Sequence, residues 1–507
     1  MSMRHRGTAA AALSLLLTIA CGAADAQETV TINAHATATP LPHFWEQMFG
    51  SGHANLAMRE AWRDDLSAVK SITEMKYVRF HGILDDENGV YTEDEHGTPQ
   101  YNFTHVNEIY DGMLARGVRP FVEISFMPKQ LAAHPAPHAF WYKPNVAPPK
   151  DYAKWDTLIR AFAQNLVDRY GIDEVSRWYF EVWNEPNIDF WVGQPKQSTY
   201  FELYSHTARA LKSVSPRLRV GGPASAAEEW VPAFLKYMHD NNVPVDFLST
   251  HGYADENYEH TFTPATLPPM DDRLCAAMTH VKKQIAASPM PNIPWFVTEW
   301  NVIGIDKARD TTFVGPAVAN TIRECDGLAN IMSFWTFDDV FEESGVKREP
   351  FDGGFGLIAP YSIRKPSFNA FAMLHHLGNE RLANDAKEAL VTRRPDGSLV
   401  VAVWNMADPP GAHQAGGLGA EKYMQLRFEN VPSNAAVSIT RLDPAHGNTL
   451  AAYQKMGSPR YPTETQIREL NDASKLGPPE KTALRDGKIG VDLPVNSLVL
   501  LKISAKE

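Results

Sequence analysis

The stretch WYFEVWNEPN, residues 178–187, is a short run rich in aromatic and β-branched residues that stops at Asn184, Glu185 and Pro186. Runs of this length and composition are typical of strands that are buried on both faces of a parallel sheet. The stretch WFVTEWN, residues 295–301, repeats the pattern with Glu299 behind its apolar run. Each glutamate stands where a core strand would otherwise continue with an apolar residue. The two stretches therefore predict two buried strands that each present a carboxylate at the same edge of a sheet.

Similar apolar runs recur between residues 41 and 380. They are Phe44–Phe49, Tyr77–Phe80, Arg119–Ser125, Trp178–Trp183, Leu218–Gly221, Phe247–Ser249, Trp295–Thr298 and Ile331–Thr336. Amphipathic segments lie between them, and the clearest is Tyr152–Tyr170, which Gly171 ends. Eight strands that alternate with helices favour an α/β fold with a closed (β/α)8 barrel over residues 41–380. Periodicity alone is also compatible with an open sheet.

The pattern changes beyond residue 380. Short alternating segments occur at Ala389–Arg393, Leu399–Trp404, Tyr423–Phe428, Ala436–Arg441 and Ser497–Ile503. They predict a smaller antiparallel β-sandwich over residues 381–507. The segment Glu28–Ala34 also has the composition of a strand, so we expect residues 27–40 to join the sandwich from the other end of the chain.

The first 26 residues have the pattern of a secretory signal peptide. Arg4 and Arg6 precede the apolar run Thr8–Ala20, and Ala24-Asp25-Ala26 supplies a cleavage pattern of small residues. We expect export to the periplasm or the exterior, with cleavage after Ala26. The alternative is a lipoprotein signal at Cys21. No later segment approaches the length of a membrane span.

Charge and cysteine content limit the remaining function classes. A formal net charge of −12 makes binding to nucleic acid or to anionic membranes a poor prediction. Behind the signal segment only Cys275 and Cys325 remain, either as one bridge or as two separate buried thiols. Since no CxxC or HExxH spacing occurs, we predict neither a metal nor another cofactor. No sequence signal indicates an oligomeric state.

Glu185 and Glu299 follow the fourth and seventh predicted strands, so both belong to the C-terminal mouth of the barrel, where such folds have their active sites. A structural ion pair would explain one buried carboxylate. Two across one mouth favour glycoside hydrolysis, in which one carboxylic acid donates a proton and one carboxylate attacks the anomeric carbon. Asn184 is suited to holding the 2-hydroxyl of the sugar.

Residues 178–187 resemble the acid/base signature of glycoside hydrolase family 39, which contains β-xylosidases and α-L-iduronidases. Residues 45–54, 78–82, 249–253, 334–343 and 351–356 resemble further segments of that family, in the family's order. The resemblance implies that Glu185 is the acid/base and Glu299 the nucleophile. It implies that the sugar is held by His81, Asn184, His251, Tyr253 and Glu343, with Trp335 as its platform. We expect Arg79 to orient Glu299 or Glu185 from behind.

The segments resemble the bacterial β-xylosidases more than the iduronidases. The expected activity is therefore retaining, exo-acting release of xylose from xylo-oligosaccharides. An iduronate carboxylate would call for arginine or lysine, whereas the strand-end motifs offer mostly neutral and acidic groups. An α-L-arabinofuranosidase, an α-L-iduronidase or an endo-glycanase remain alternatives, as does a non-catalytic carbohydrate-binding protein, because a fold does not fix a function.

Overall fold

The computed structural model describes residues 26–302, 307–407 and 419–505. Apart from Ala26, the predicted signal segment lies outside these ranges, as does Cys21, so the predictions made for them stay predictions. Within the described ranges, no helix is both long enough and apolar enough to cross a membrane.

The strands are β1 (Ala26–Asn33), β2 (Ala38–Pro40), β3 (Met48–His53), β4 (Tyr77–His81), β5 (Tyr91–Glu93), β6 (Pro99–Tyr101), β7 (Arg119–Ile124), β8 (Tyr179–Val182), β9 (Arg219–Ser225), β10 (Phe247–Tyr253), β11 (Trp295–Asn301), β12 (Ile331–Phe334), β13 (Ile358–Ala359), β14 (Ile363–Arg364), β15 (Glu380–Leu382), β16 (Ala389–Arg393), β17 (Leu399–Asn405), β18 (Lys422–Glu429), β19 (Ala436–Leu442), β20 (Glu480–Ala483), β21 (Lys488–Leu493) and β22 (Ser497–Ile503). The α-helices are α1 (Glu60–Lys70), α2 (Thr104–Leu114), α3 (Tyr152–Tyr170), α4 (Ile172–Val175), α5 (Lys196–Val214), α6 (Val231–Asp240), α7 (Met270–Ala286), α8 (Val314–Cys325), α9 (Pro366–Leu374), α10 (Thr449–Lys455) and α11 (Glu464–Ala473).

Strands β3, β4 and β7 to β12 form a closed parallel barrel, in which β12 returns to β3. The barrel confirms the predicted (β/α)8 fold and excludes the open sheet. Helix α3 has the predicted bounds because both of its ends are specified locally. The Asp151 side chain accepts hydrogen bonds from two backbone N–H groups of the first turn, and Gly171 ends the helix at a φ of 78°.

The predicted position of the first barrel strand, Phe44–Phe49, is wrong. The strand begins at Met48, and the residues before it form a turn that starts after His43, whose φ is 50°. Phe44 and Trp45 are fully buried, and the Phe44 carbonyl accepts a hydrogen bond of 3.0 Å from the Met332 N–H. This apolar run therefore packs against the core as a turn instead of extending into the sheet.

An apolar layer fills the barrel interior near the N-terminal ends of the strands. The rings of Phe121, Tyr179, Phe247 and Phe296 lie 4.9–6.2 Å apart, measured between centroids. Met48 and Ile331 belong to the same buried cluster. Because this layer has no room for charge, the polar side chains of the barrel interior collect above it, towards the C-terminal ends of the strands.

The second unit is a β-sandwich that uses both ends of the described chain. Its larger sheet has the order β2-β15-β16-β17-β22-β19-β20, and its smaller sheet has the order β1-β18-β21. Val30 and Ile32 of β1 lie in the apolar core that the two sheets share. The prediction of antiparallel pairing fails at one place, since β1 runs parallel to β18 along its whole length.

Cys275 and Cys325 form a disulfide. It joins α7 to α8 on the outside of the barrel. Of the two alternatives that the sequence left open, the structure contains the bridge.

Candidate active site

Glu185 and Glu299 lie at the C-terminal mouth of the barrel. Glu185 follows β8 in a turn with left-handed backbone, where Trp183 has a φ of 75° and Glu185 a φ of 38°. Non-glycine residues adopt this conformation at a cost that functional sites often carry. Glu299 lies within β11, and a register shift between β10 and β11 brings it opposite His251. One carboxylate oxygen of Glu185 and one of Glu299 lie within 4.8 Å of each other.

Two hydrogen-bond donors hold the Glu299 carboxylate. Arg79 Nη1 donates to Oε1 over 2.7 Å, and the Tyr253 hydroxyl donates to Oε2 over 2.7 Å. His81 Nε2 lies 3.9 Å from Oε1. These contacts fix the orientation of the carboxylate and complement its negative charge, as a nucleophile requires.

Glu185 has the opposite environment. Burial raises its pKa well above the ordinary value, and the negative charges of Glu299 and Glu256 raise it further. Its Oε1 lies 3.0 Å from His251 Nδ1. Burial, followed by the positive charges of Arg79 and His81, lowers the pKa of His251 well below its ordinary value, so this imidazole is neutral. Glu185 is therefore a carboxylic acid near neutral pH, as a proton donor requires.

Arg79 is fully buried and contacts several polar side chains of the site. Besides Glu299 it contacts Glu181 through Nε at 2.5 Å and Glu123 through Nη2 at 2.9 Å. Its Nη2 also donates to Asn184 Oδ1 over 2.9 Å, which turns the amide NH2 of Asn184 away from Arg79. Of the two predicted partners, the structure places Arg79 against Glu299.

Glu123 and Glu181 were absent from the predicted site. Each lies in the middle of an apolar strand, at Val122-Glu123-Ile124 and Phe180-Glu181-Val182. Both are fully buried, and Thr298 Oγ1 donates to Glu181 over 2.8 Å. In the sequence each interrupts an apolar run, as does Arg79 in Val78-Arg79-Phe80, but the pairing of these residues depends on the closed barrel.

His81 and Glu343 face each other beside Glu299. His81 Nδ1 lies 2.8 Å from Glu123 and its Nε2 lies 3.4 Å from Glu343. Burial alone would lower the pKa of His81, but the charge of Glu123 and the hydrogen bonds to Glu123 and Glu343 raise it to about 10. Burial raises the pKa of Glu343, against the lowering effect of His81. The neighbouring Glu342 turns outward and pairs with Arg59.

Trp335 lies between these groups. Its ring centroid is 4.8 Å from that of His81 and 5.8 Å from Arg79 Cζ. The indole packs directly on the backbone of Gly50, where a Cβ atom would stand 2.1 Å from it. The structure thus brings together all the residues that the sequence singled out.

Two groups of described residues converge as metal ligands would, within 4.8 Å. They are Glu185 with His251 and Glu299, and His43 with Glu46 and His375. The first group contains the two carboxylates of the candidate site. In the second, Nδ1 of each histidine lies within hydrogen-bond distance of the Glu46 carboxylate, at 2.6 Å and 3.0 Å. Hydrogen bonding accounts for both groups without an ion.

The spacing of the two carboxylates decides the class of protein. In retaining glycosidases the carboxyl groups are about 5–5.5 Å apart, and in inverting ones about 6.5–9.5 Å. Glu185 and Glu299 have one pair of oxygen atoms within 4.8 Å of each other, a close approach that is compatible with the former. A (β/α)8 barrel with a buried carboxylic acid and a donor-held carboxylate at this spacing is a glycoside hydrolase.

The chain belongs to glycosyl hydrolases family 39, whose family model matches residues 28–488. It is 39% identical over 476 residues to a β-xylosidase of Geobacillus stearothermophilus, covering 90% of this chain and 92% of the relative. A β-xylosidase of Caldicellulosiruptor saccharolyticus is 35% identical over 85% of this chain and 88% of its own length. The crystal structure of a monomeric β-xylosidase from Caulobacter crescentus CB15 superposes with a TM-score of 0.84 at 30% identity, covering 95% of this chain and 100% of the other.

Proposed function

We propose that this protein is a retaining, exo-acting β-D-xylosidase that releases xylose from the non-reducing ends of xylo-oligosaccharides. Similarity to two β-xylosidases over most of the chain supports the sugar and the bond. The observation that carries the mechanism is the pair of carboxylates within 4.8 Å, in which burial raises the pKa of Glu185 well above its ordinary value while Arg79 and Tyr253 donate hydrogen bonds to Glu299.

The geometry supports a double displacement. Glu185 donates its proton to the glycosidic oxygen while Glu299 attacks the anomeric carbon, so that the leaving sugar departs as an alcohol and a glycosyl ester forms on Glu299. The ester carries no charge, so one of the causes that raise the pKa of Glu185 disappears. Glu185 then takes a proton from water, which attacks the same carbon and releases xylose with its original anomeric configuration.

A closed end of the cleft supports exo action. We propose that the non-reducing end of the bound xylose lies against His81 and Glu343, which are next to the nucleophile Glu299. There the loops that follow β7 and β12 meet, since the Trp141 N–H donates to the Glu343 carbonyl over 2.7 Å. The Trp141 ring also packs on Gly345, where a Cβ atom would lie 3.3 Å from it. In our proposal this contact closes the cleft behind a single sugar.

The charges of the site favour a neutral sugar. The two cations nearest the carboxylate pair, Arg79 and His81, are held by buried glutamates. A cavity of about 480 Å³ beside Glu343 is also lined by Arg309, Lys347 and Arg348. Lys347 pairs with Asp352 at 2.9 Å, and Arg309 donates to the Gly353 carbonyl over 2.8 Å. An iduronate carboxylate would have to compete with these partners.

Hydrolysis of three aryl glycosides tests the sugar. We expect kcat/KM for aryl β-D-xyloside to exceed the values for aryl α-L-arabinofuranoside and aryl α-L-iduronide. A preference for either of the latter would replace xylose in this proposal. Absence of turnover with all three, in protein that folds normally, would favour a carbohydrate-binding role.

Products from xylohexaose test exo action. We expect xylose and xylopentaose as the first products, whereas early xylobiose or xylotriose would indicate endo action. Trp141→Ala should open the closed end and allow xylobiose to be released. Tyr461→Ala is the matched control, because Tyr461 is an exposed aromatic residue (73% exposed) in the loop between α10 and α11.

We further propose that residues 1–26 direct export. The support is the basic, apolar and small-residue pattern of that segment. Mass spectrometry of the exported protein should give an N-terminus at Gln27. A lipid-modified Cys21 would show a lipoprotein, and an intact Met1 would contradict export through this segment.

A further inference from the structure

Two carboxylates besides the catalytic pair, those of Glu228 and Glu256, lie near the end of β10. Glu228 is 5% exposed, and neither of its carboxylate oxygens has a hydrogen-bond partner among the described residues. Glu256 is partly buried: its Oε2 has no partner there, whereas the Tyr253 backbone and the Tyr258 hydroxyl form hydrogen bonds with its carboxylate. A carboxylate removed from water in this way is costly unless a cation or a proton compensates it.

The surroundings of Gly252 show which atoms lie next to the outer face of β10 on the side of Glu228. It lies between His251 and Tyr253, whose side chains point into the barrel, so the Gly252 position faces outward. A Cβ atom at Gly252 would lie 2.9 Å from the Tyr258 hydroxyl oxygen and 3.4 Å from Glu228 Oε1. The Tyr258 hydroxyl itself donates to the Tyr253 carbonyl over 2.9 Å. The nearest atom to that Cβ position is Leu274 Cδ1, at 2.6 Å, so the space behind Gly252 is bordered by the two oxygen atoms and by the Leu274 side chain.

The end of β9, together with the loop that follows it, holds Glu228 in an inward orientation. Four of its non-glycine residues have φ values of 52–64°, namely Ala224, Ala227, Glu228 and Trp230. This conformation is unfavourable for residues with a side chain and usually has a functional reason. Asn187 fixes the loop, since its side chain accepts from the Ala226 N–H over 2.8 Å and donates to the Ala226 carbonyl over 3.0 Å.

The basic side chains nearby are engaged elsewhere. His260 pairs with Glu229 at 2.9 Å, on the outside of the same loop. Arg273 donates to the backbone carbonyls of Asp255 and Glu256. In the part of the chain that the structure describes, no lysine, arginine or histidine forms an ion pair with Glu228 or Glu256. A compensating positive charge therefore has to come from outside the chain.

We propose that Glu228 and Glu256 bind a divalent cation of the Ca²⁺ class behind β10. Such cations take carboxylate, carbonyl and hydroxyl oxygens as ligands, and two carboxylates balance a double positive charge. The sequence predicted no metal, because the two ligands come from separate loops and show no recognisable spacing. Since the front of β10 carries His251 and Tyr253, a cation on its back would stabilise the strand that positions both catalytic glutamates.

Thermal unfolding of the full-length protein tests the site. Protein treated with EDTA and dialysed is scanned by calorimetry with increasing Ca²⁺, and in parallel with Mg²⁺. A hundredfold excess over Kd should raise the Tm of a chain of this size by about 3 °C. Glu228→Gln should abolish the rise. Glu229→Gln should keep it, because Glu229 points outward to His260.

An unchanged Tm at millimolar Ca²⁺ and Mg²⁺, in wild-type protein shown to be metal-free, would overturn the proposal, and so would a full Ca²⁺ response in Glu228→Gln. If that variant does not fold, Tb³⁺ luminescence excited through the protein's aromatic residues provides the second measurement on the wild type. Luminescence that Ca²⁺ displaces supports the site, and its absence overturns it. Neither readout involves a sugar, so this result is independent of the proposed xylosidase activity.

Discussion

Replacing Gly50 by alanine would disturb the site through one defined contact. A Cβ atom at Gly50 would lie 2.1 Å from Cε3 of Trp335 and 2.7 Å from Cζ3. Ordinary van der Waals contact begins at about 3.4 Å, so the indole and the strand have to separate by about 1.3 Å, the difference between the two distances. Trp335 is only 2% exposed, and its ring lies against His81, so the movement passes into the sugar site.

Both activity and stability should respond. A misplacement of about 1 Å at a catalytic site costs about 100-fold in rate, and overpacking costs about 1–3 kcal/mol of the free energy of unfolding. We therefore expect Gly50→Ala to lower kcat/KM for aryl β-xyloside about 100-fold while the protein still folds. Initial rates and calorimetry on the same preparation measure the two effects.

The matched control is Gly112→Ala in α2. There the new Cβ atom meets only the end of the flexible Arg63 side chain, at 3.0 Å, and alanine gains up to about 1 kcal/mol of helix propensity over glycine. We expect its activity to equal that of the wild type. If Gly50→Ala also stays within twofold of the wild type, the indole does not shape the sugar site and the reasoning is refuted.

Three further variants test single parts of the account. Glu185→Ala should lower turnover of xylobiose by about 10²–10⁴-fold, because the leaving sugar is no longer protonated. Azide should partly restore activity only for substrates with a good leaving group. Equal losses of activity for every leaving group would exclude the acid role. Glu123→Gln removes the charge that most raises the pKa of His81, so the imidazolium, present in the wild type up to a pH of about 10, should lose its proton at a lower pH. An NMR titration of the ring checks this, and an unchanged midpoint would refute it. Asp151→Ala should cost about 1 kcal/mol of stability by uncapping α3 and leave kcat/KM unchanged, which denaturant unfolding and initial rates would show.

The sequence predicted those parts of the site whose chemistry departs from a local pattern. Glu185 and Glu299 were recognisable because a carboxylate directly behind a buried strand breaks the apolar rule. Glu123 and Glu181 break the same rule inside strands, yet their meaning depends on Arg79, which only the closed barrel brings to within 2.5–2.9 Å of them. A pairing across strands has no local signature in one sequence.

The wrong or missing predictions also concern features that depend on tertiary contacts and not on local sequence. Phe44 and Trp45 have the composition of a strand, but their side chains can be buried in a turn as well as in a sheet. In the folded protein, tertiary packing buries them in a turn. The parallel pairing of β1 with β18 joins two segments that lie far apart in the chain, and no turn between them could reveal its direction. The inward orientation of Glu228 depends on left-handed backbone in residues whose types do not favour it.

Trapping the covalent intermediate tests the central claim most directly. The wild-type protein is incubated with an activated 2-deoxy-2-fluoro-β-xyloside, which slows release of the glycosyl group, and is then digested and examined by mass spectrometry. The account predicts one added fluoroxylosyl group, located on Glu299, together with loss of activity. A label on another residue, or a turnover product of inverted configuration with no label on the protein, would contradict the assignment of Glu299 as the nucleophile of a retaining enzyme.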